Sequence, residues 1–561
     1  MHSLPATTSS EQTFQTIKSW IGECLIAHED CARPYNSQSE LNKILAGIRF
    51  LHIRGSCVVL VENVQPLHYA ALSHCWGSGT TIVKTLESNI SDHKGTGLVI
   101  SYLPKTFRDA VQICQRLDID YVWIDSLCII QDDPSNWRTQ ASRMEDVYAN
   151  SYVTLAASKA KDPSEGMFSD CHWAFRGCQL PGYPGLMIRQ IVSPPGTEFR
   201  DKGYARDGDW PLYSRGWIYQ ELTISPRVVH FGLQEVMWNC ASRRRGQSHT
   251  NKFYDMIATS VSLKRFHPDF IQQQWYLTIE AYSWRALTFH KDRLPAIAAL
   301  AKRRQTLCRN GRYLAGLWEE TLLSDLLWEC RLSKVHGGSS DRVSPESDNM
   351  PSWSWAKLQR GVRWSSVVFA PPLNSVEILD VNYETKGPAV SGDIQNAFIT
   401  LRAPLIRLVT LSHRHQALAE RRSRHSNDAR NTVIQSGDLT QLKTELRLVL
   451  IEWRWDHDMS FVVATADARR GEVYGVPLLA QKIKEASDFV PLQLLLMVRK
   501  TKEPGRYRRV GVARVTVADS PFLQDSATPS RGPDWGALKV QQQDRLNHWL
   551  EQRDTEVITL I

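Results

Sequence analysis

No apolar run in the 561-residue sequence approaches the roughly 18 consecutive residues that cross a bilayer. Met1 to Gln15 is polar and carries no apolar core of a secretory signal. Both absences argue against a membrane span and against export. The 11 cysteines are odd in number and follow no regular framework. That excludes a disulfide-stapled secreted fold and predicts a reduced, cytoplasmic chain with free thiols. A phosphate-binding P-loop motif and a Gly-x-Ser-x-Gly elbow are both missing, so neither an NTPase module nor a hydrolase nucleophile of that type is expected. Internal repeats are missing too. Charge of one sign is scarce: the formal net charge of +8 is modest for this length. The basic clusters at Arg243–Arg244–Arg245 and between His413 and Arg430 read as a solvated loop and a linker. Without basic residues organised on one face, no nucleic-acid partner is expected.

What the chain does have is 42% apolar residues, enough for sizeable cores, and an unusual 19 tryptophans. Gln12 to His28 has helical apolar spacing. Ile48–Ile53 and Cys57–Val61, separated by Gly55, read as a hairpin. His68 to His74 then reads as a buried strand, Pro104 to Leu117 as an amphipathic helix, and Tyr121 to Asp125 as a strand ending in a carboxylate. Ser135 can cap a helix over 136–149, and Tyr152 to Ala157 is a third strand. Strand and helix alternating at this spacing predict right-handed crossovers and a parallel sheet. Arg215 to Ile224 reads as a helix stopped by Pro226, and Arg227–Phe231 with Glu235–Asn239 as a hairpin. Residues 253–330 are mainly helical by pattern, Val335–Met350 is a polar linker, and strand-like pieces follow at Phe398–Leu408 and Leu446–Trp453.

Three blocks of fixed text stand out. Tyr69–Ala70–Ala71–Leu72–Ser73–His74–Cys75–Trp76–Gly77 is the first, Tyr121 to Asp132 (YVWIDSLCIIQD) the second, and Arg215–Gly216–Trp217 with Gln220–Glu221 the third. Together they resemble the three ordered motifs of the fungal HET (heterokaryon incompatibility) domain. His74 stands where a tyrosine is more usual. Asp292 to Ala296 and Pro351 to Trp355 are similar to segments common in full-length members. The resemblance is strong over about residues 69–231 and looser from 17 to 370. It implies a TIR/flavodoxin-like parallel sheet core with helical additions and a mixed, partly β C-terminal region. It also implies a role in non-self recognition that triggers programmed cell death. Through the likeness to TIR domains, it implies cleavage of NAD at the nicotinamide–ribose bond. The TIR catalytic glutamate lies four residues after a tryptophan, the spacing of Trp217 and Glu221 here, although Ile218 replaces the expected cysteine.

The chemistry is physically consistent. Nicotinamide leaves NAD as a neutral molecule, so no general acid is needed, unlike ordinary glycoside cleavage. One carboxylate that offsets the developing oxocarbenium charge suffices, and Glu221 is the candidate catalytic residue. Ligands of open parallel sheets sit outside the carboxyl ends of the strands. Ser73, Trp76, Gly77, Gly79, Asp125 and Trp217 are therefore the candidate substrate-binding residues, the glycines for close backbone approach and Trp76 for stacking. Each has a duller reading: Glu221 as a polar residue on a packed helix, Asp125 as a turn cap, Trp76 as a core anchor. Read as a surface-accessible group, Glu221 is expected to tolerate a Gln substitution with a folding cost under about half a kcal/mol.

Cys24, His28 and Cys31 fall at i, i+4 and i+7 on the first helix, but zinc takes four ligands and no fourth is evident in sequence. Buried thiols on an apolar face are common, so no metal is expected. Cys171, His172 and Cys178 make a weaker set. The expected organisation is a helix and hairpin over 11–66, a HET domain over 67–245, a helical extension over 246–370 and a C-terminal region over 371–561. NAD is expected as substrate rather than cofactor. The partners are expected to be proteins of incompatibility signalling, with self-association. The rival expectation is a non-enzymatic module that signals by assembly.

Overall fold

The computed structural model describes residues 4–31, 38–63, 68–77, 82–183, 186–190, 210–248, 270–308, 311–330, 349–358, 361–365, 369–410, 434–435, 448–455, 473–480, 493–517 and 535–561. They form two compact units. The first is Met1–Gln274 with Arg285–Thr288 and Lys302–Arg304. The second is Trp275–Trp284, Phe289–Ala301 and Gln305–Ile561.

The first unit runs α1 (Glu11–Ala27), α2 (Gln38–Leu45), β1 (Phe50–Arg54), β2 (Cys57–Val61), β3 (Tyr69–Ser73), α3 (Ile90–Lys94), β4 (Leu98–Val99), α4 (Lys105–Arg116) and β5 (Tyr121–Trp123). It continues α5 (Asp125–Cys128), α6 (Pro134–Ala141), α7 (Met144–Asn150), β6 (Val153–Ala156), α8 (Trp173–Arg176), β7 (Cys178–Gln179), β8 (Met187–Ile188), α9 (Gly216–Ile224), β9 (Arg227–Phe231), β10 (Val236–Cys240) and β11 (Arg244–Gly246). Except for β7 and β8, all these strands join one nine-stranded sheet in the order β11-β10-β9-β6-β3-β5-β1-β2-β4. Strands β9, β6, β3 and β5 are mutually parallel. The three strands expected as parallel neighbours within 69–157 are so, and antiparallel strands extend both edges. Strand β3 is buried at all five positions, as a strand covered on both faces must be. The chain leaves β3 for β5 on one side and returns to β6 on the other, so the order reverses between β3 and β6.

Local differences from the sequence reading have local causes. Pro104 takes the N-cap of α4 rather than its first turn. Asp133, not Ser135, caps α6: its Oδ1 accepts from the backbone N–H of Ser135 (2.9 Å) and Asn136 (3.1 Å). The helix expected over 136–149 is two, α6 and α7. Between them Arg143 turns its guanidinium onto the carbonyls of Ala46 (2.6 Å) and Ile44. Strand β5 stops at Trp123, and Asp125 opens α5 instead of ending the strand. The hairpin β1–β2 turns at Gly55, whose φ of 57° suits a residue without Cβ.

The second unit explains many of the tryptophans. Trp275 and Trp355 both donate their indole N–H to the carbonyl of Gly316 (3.2 and 3.0 Å), and Trp318 packs edge-on against Trp275 at 5.6 Å. Trp353 and Trp328 are fully buried, so the Pro351–Trp355 segment is core. Residues 251–269 lie outside the described residues. The described remainder to 330 has helices Ile271–Ser283 and Ala298–Leu307, and also short strand pairs such as Tyr313–Leu314 with Leu317–Trp318. Residues after 371 build a second nine-stranded sheet, antiparallel except where Arg506–Val517 runs parallel to Thr555–Leu560. The strand expected at Phe398–Leu408 is two, Asp393–Pro404 and Ile406–Thr410, and that at Leu446–Trp453 is Leu448–Trp455. The basic stretch between His413 and Arg430 lies outside the described residues.

Candidate functional site

Helix α9 is apolar around most of its circumference, and seven of its nine residues are buried, Glu221 among them. A helix that is apolar around most of its surface belongs largely inside a protein. Gly216 opens it because a Cβ there would meet Leu287 Cδ2 at 2.5 Å, and its N–H donates to the carbonyl of Ala286 (2.7 Å). This seating sets the carboxyl of Glu221 under the end of β3, where Ser73 Oγ donates to Glu221 Oε2 at 2.7 Å. The hydroxyl of Tyr148 from α7 donates to the carbonyl of Leu72 (3.1 Å), the neighbour of Ser73 on β3. Glu221 is 4% exposed, so it is not the surface-accessible group the sequence reading assumed. Burial raises its pKa to about 7, with the Asp125 charge adding to the rise and Ser73, Arg215 and Tyr148 opposing it.

Asp125 sits beside it at the start of α5. Its Oδ1 accepts the backbone N–H of Ser126 (2.7 Å), the capping role, and its Oδ2 accepts the indole N–H of Trp76 (2.7 Å). Trp76 is half-buried, with Lys84 Nζ 5.4 Å from its ring centroid. His74 is buried beside Asp125, its Nδ1 3.8 Å from Asp125 Oδ1 and its ring edge-on to Phe107. Burial lowers its pKa to about 4, against the pull of Asp125 and with the help of Arg215, so the ring is neutral at pH 7. Neither of its ring nitrogens has a hydrogen-bond partner among the described residues.

Of the expected site residues, Ser73 and Glu221 are therefore in direct contact, as are Trp76 and Asp125, and the two carboxyls share one electrostatic environment. Trp217 lies one turn before Glu221 on the same face of α9 and is half-buried. Gly77 is exposed at φ 75°, and a Cβ there would meet Asp162 Cβ at 2.7 Å. Gly79 lies outside the described residues. The sequence reading gave no role to Arg215, His74 or Tyr148. Arg215 donates to the carbonyl of His74, placing a cation between the ends of β3 and α9. Its position at the head of the third motif was the available signal.

A carboxyl with a pKa near 7, a second carboxylate, a cation and a neutral imidazole thus gather at the carboxyl end of β3, beside the point where strand order reverses. This is where open α/β sheets bind ligands. Residues 69–221, from the first residue of β3 to Glu221 itself, match the family described as Heterokaryon incompatibility protein (HET). Over this stretch the chain carries a HET domain. It is also 26% identical over 109 residues to heterokaryon incompatibility protein 6, OR allele, of Neurospora crassa. That likeness covers 18% of this chain and 15% of the Neurospora protein, so it spans a small part of either. No solved structure matches the chain. All eleven cysteines are free, and among the described residues no helix is long and apolar enough to cross a membrane.

Proposed function

We propose that the chain acts in fungal heterokaryon incompatibility, and that its HET domain triggers cell death by hydrolysing NAD at the nicotinamide–ribose bond with Glu221 as the catalytic carboxylate. The observation that carries this reading is the seat of Glu221, against Ser73 at the carboxyl end of the central parallel strand. The order of the parallel strands supports a TIR/flavodoxin-like core: numbered along the chain from β3, they lie 2-1-3-4 across the sheet. In the proposed reaction the ionised carboxylate faces the ribose as positive charge develops there, and nicotinamide departs neutral. Ser73 orients the carboxylate. A cationic nicotinamide ring brought near a group of pKa about 7 favours its ionised form. Trp76 and Trp217 offer aromatic surface, and the backbone at Gly77 admits close approach of a ribose or phosphate.

One observation favours the second reading, a non-enzymatic module that signals by assembly with partner proteins: the Glu221 carboxyl is covered. Self-association reconciles cover with catalysis if contact between copies opens the site. Purified protein is incubated with NAD over a range of protein concentrations, and free nicotinamide is measured. Release that rises faster than linearly with protein supports the enzymatic reading with assembly. Killing of host cells by a chain that releases no nicotinamide at any concentration supports the assembly reading.

A further inference from the structure

The first motif set aside by the site is the trio of soft ligands on α1, and the fold completes it. Cys24 lies on the last full turn of α1, His28 is its C-cap residue, and Cys31 closes the short 3₁₀ turn Glu29–Cys31. Cys240, the last residue of β10 and 212 positions after His28, arrives beside them. His28 Nδ1 is 3.5 Å from Cys240 Sγ and 4.0 Å from Cys31 Sγ, and all four ligand atoms lie within 4.8 Å of one another. A tetrahedral zinc with Zn–S near 2.3 Å and Zn–N near 2.0–2.1 Å has ligand edges of about 3.8 Å between sulfurs and about 3.6 Å between nitrogen and sulfur. The cluster is within a small contraction of that size. Its three thiols are buried and its histidine is half-buried, and four protein ligands fill a tetrahedral shell.

We propose that Cys24, His28, Cys31 and Cys240 form a closed tetrahedral Zn2+ site, structural in role, that ties the end of α1 to the β10–β11 turn. The surroundings suit an anionic centre. Zinc with three thiolates and a neutral imidazole carries a net charge of about −1. The backbone N–H of Arg243 donates to Cys240 Sγ at 3.3 Å, and Ser242 Oγ lies 3.6 Å from Cys31 Sγ, the kind of outer contact that orients ligating sulfurs. Arg227, fully buried, donates to the carbonyl of Cys31 at 3.3 Å, while its Nη2 has no hydrogen-bond partner among the described residues. A buried cation needs an anionic neighbour, and the zinc–thiolate centre supplies one. Each thiol releases its proton to solvent as the metal binds.

The test is metal analysis of the purified full chain under reducing conditions, followed by exchange of zinc for Co2+. The proposal expects about one zinc per chain, and a cobalt form with the intense visible bands and near-ultraviolet thiolate charge transfer of a tetrahedral sulfur-rich site. Cys240→Ser loses both signatures, whereas Cys178→Ser, at an exposed thiol outside the cluster, keeps both. Should Cys240→Ser fail to fold, the cobalt spectrum of the parent chain decides. Far less than one zinc per parent chain after reconstitution with excess Zn2+ overturns the proposal. So does a weak, six-coordinate cobalt spectrum, or a disulfide between any two of Cys24, Cys31 and Cys240 in the zinc-reconstituted protein.

Discussion

Glu221→Gln should stabilise the fold at neutral and alkaline pH while abolishing the proposed activity. The side chain is 4% exposed, and its pKa stands near 7 against an ordinary 4.5. The folded state therefore keeps a proton that the unfolded chain releases between pH 4.5 and 7. Stability falls as pH rises through that window and levels off above it. At about 1.36 kcal/mol per pKa unit, the ionised carboxylate costs on the order of 3 kcal/mol at pH 8. Gln has the same shape, bears no charge and can still accept from Ser73 Oγ. The parent's own pH profile hides part of the effect. His74, with its pKa lowered to about 4, stays neutral in the folded state while the unfolded chain protonates it below pH 6.5. Its contribution therefore falls as pH falls from 6.5 to 4, opposite in slope to that of Glu221. The difference between variant and parent isolates Glu221. Melting of the first unit, followed by differential scanning fluorimetry at pH 5 and pH 8, should show the variant gaining roughly 6 °C or more over the parent between the two pH values. Parallel melting curves for parent and variant from pH 5 to 8 would refute the argument that burial loads this carboxyl.

The converse substitution at His74 has the opposite pH signature. His74→Phe should protect the protein between pH 6.5 and 4, and a variant that loses stability on acidification as steeply as the parent would contradict the buried neutral ring. Gly77→Ala should cost about 1–3 kcal/mol, because φ is 75° and the new Cβ meets Asp162 Cβ at 2.7 Å. An unchanged melting temperature would show that this turn relaxes freely.

The parallel core was readable because its strands are short, continuously apolar and bounded by turn residues, as in HYAALSH and YVTLAA. Less readable was how far the sheet extends. Leu98–Val99 is only two residues long, and the hairpin at 227–240 gives no local sign that Arg227–Phe231 docks in parallel on Val153–Ala156. The candidate site was legible as a set of motifs but not as an environment. Trp217-to-Glu221 spacing points to the carboxylate, and the burial of its helix shows only in how much of the circumference of GWIYQELTI is apolar. The direct contact of Ser73 with Glu221 joins residues 148 apart and leaves no trace in local spacing. Cys240 was invisible as a fourth ligand for the same reason. The tryptophans of PSWSW, by contrast, are core residues of the second unit and carry no sign of site chemistry.

The proposed role of the Glu221 charge in NAD cleavage comes down to one comparison. Parent and Glu221→Gln proteins, each shown to be folded by circular dichroism, are incubated with NAD at pH 8 well below the melting temperature of either, and nicotinamide release is followed by chromatography. The parent should release nicotinamide, and the variant should release it about a hundredfold or more slowly, the scale on which a preorganised electrostatic group acts. Equal release by the two proteins, or none from the parent at any concentration, would contradict it.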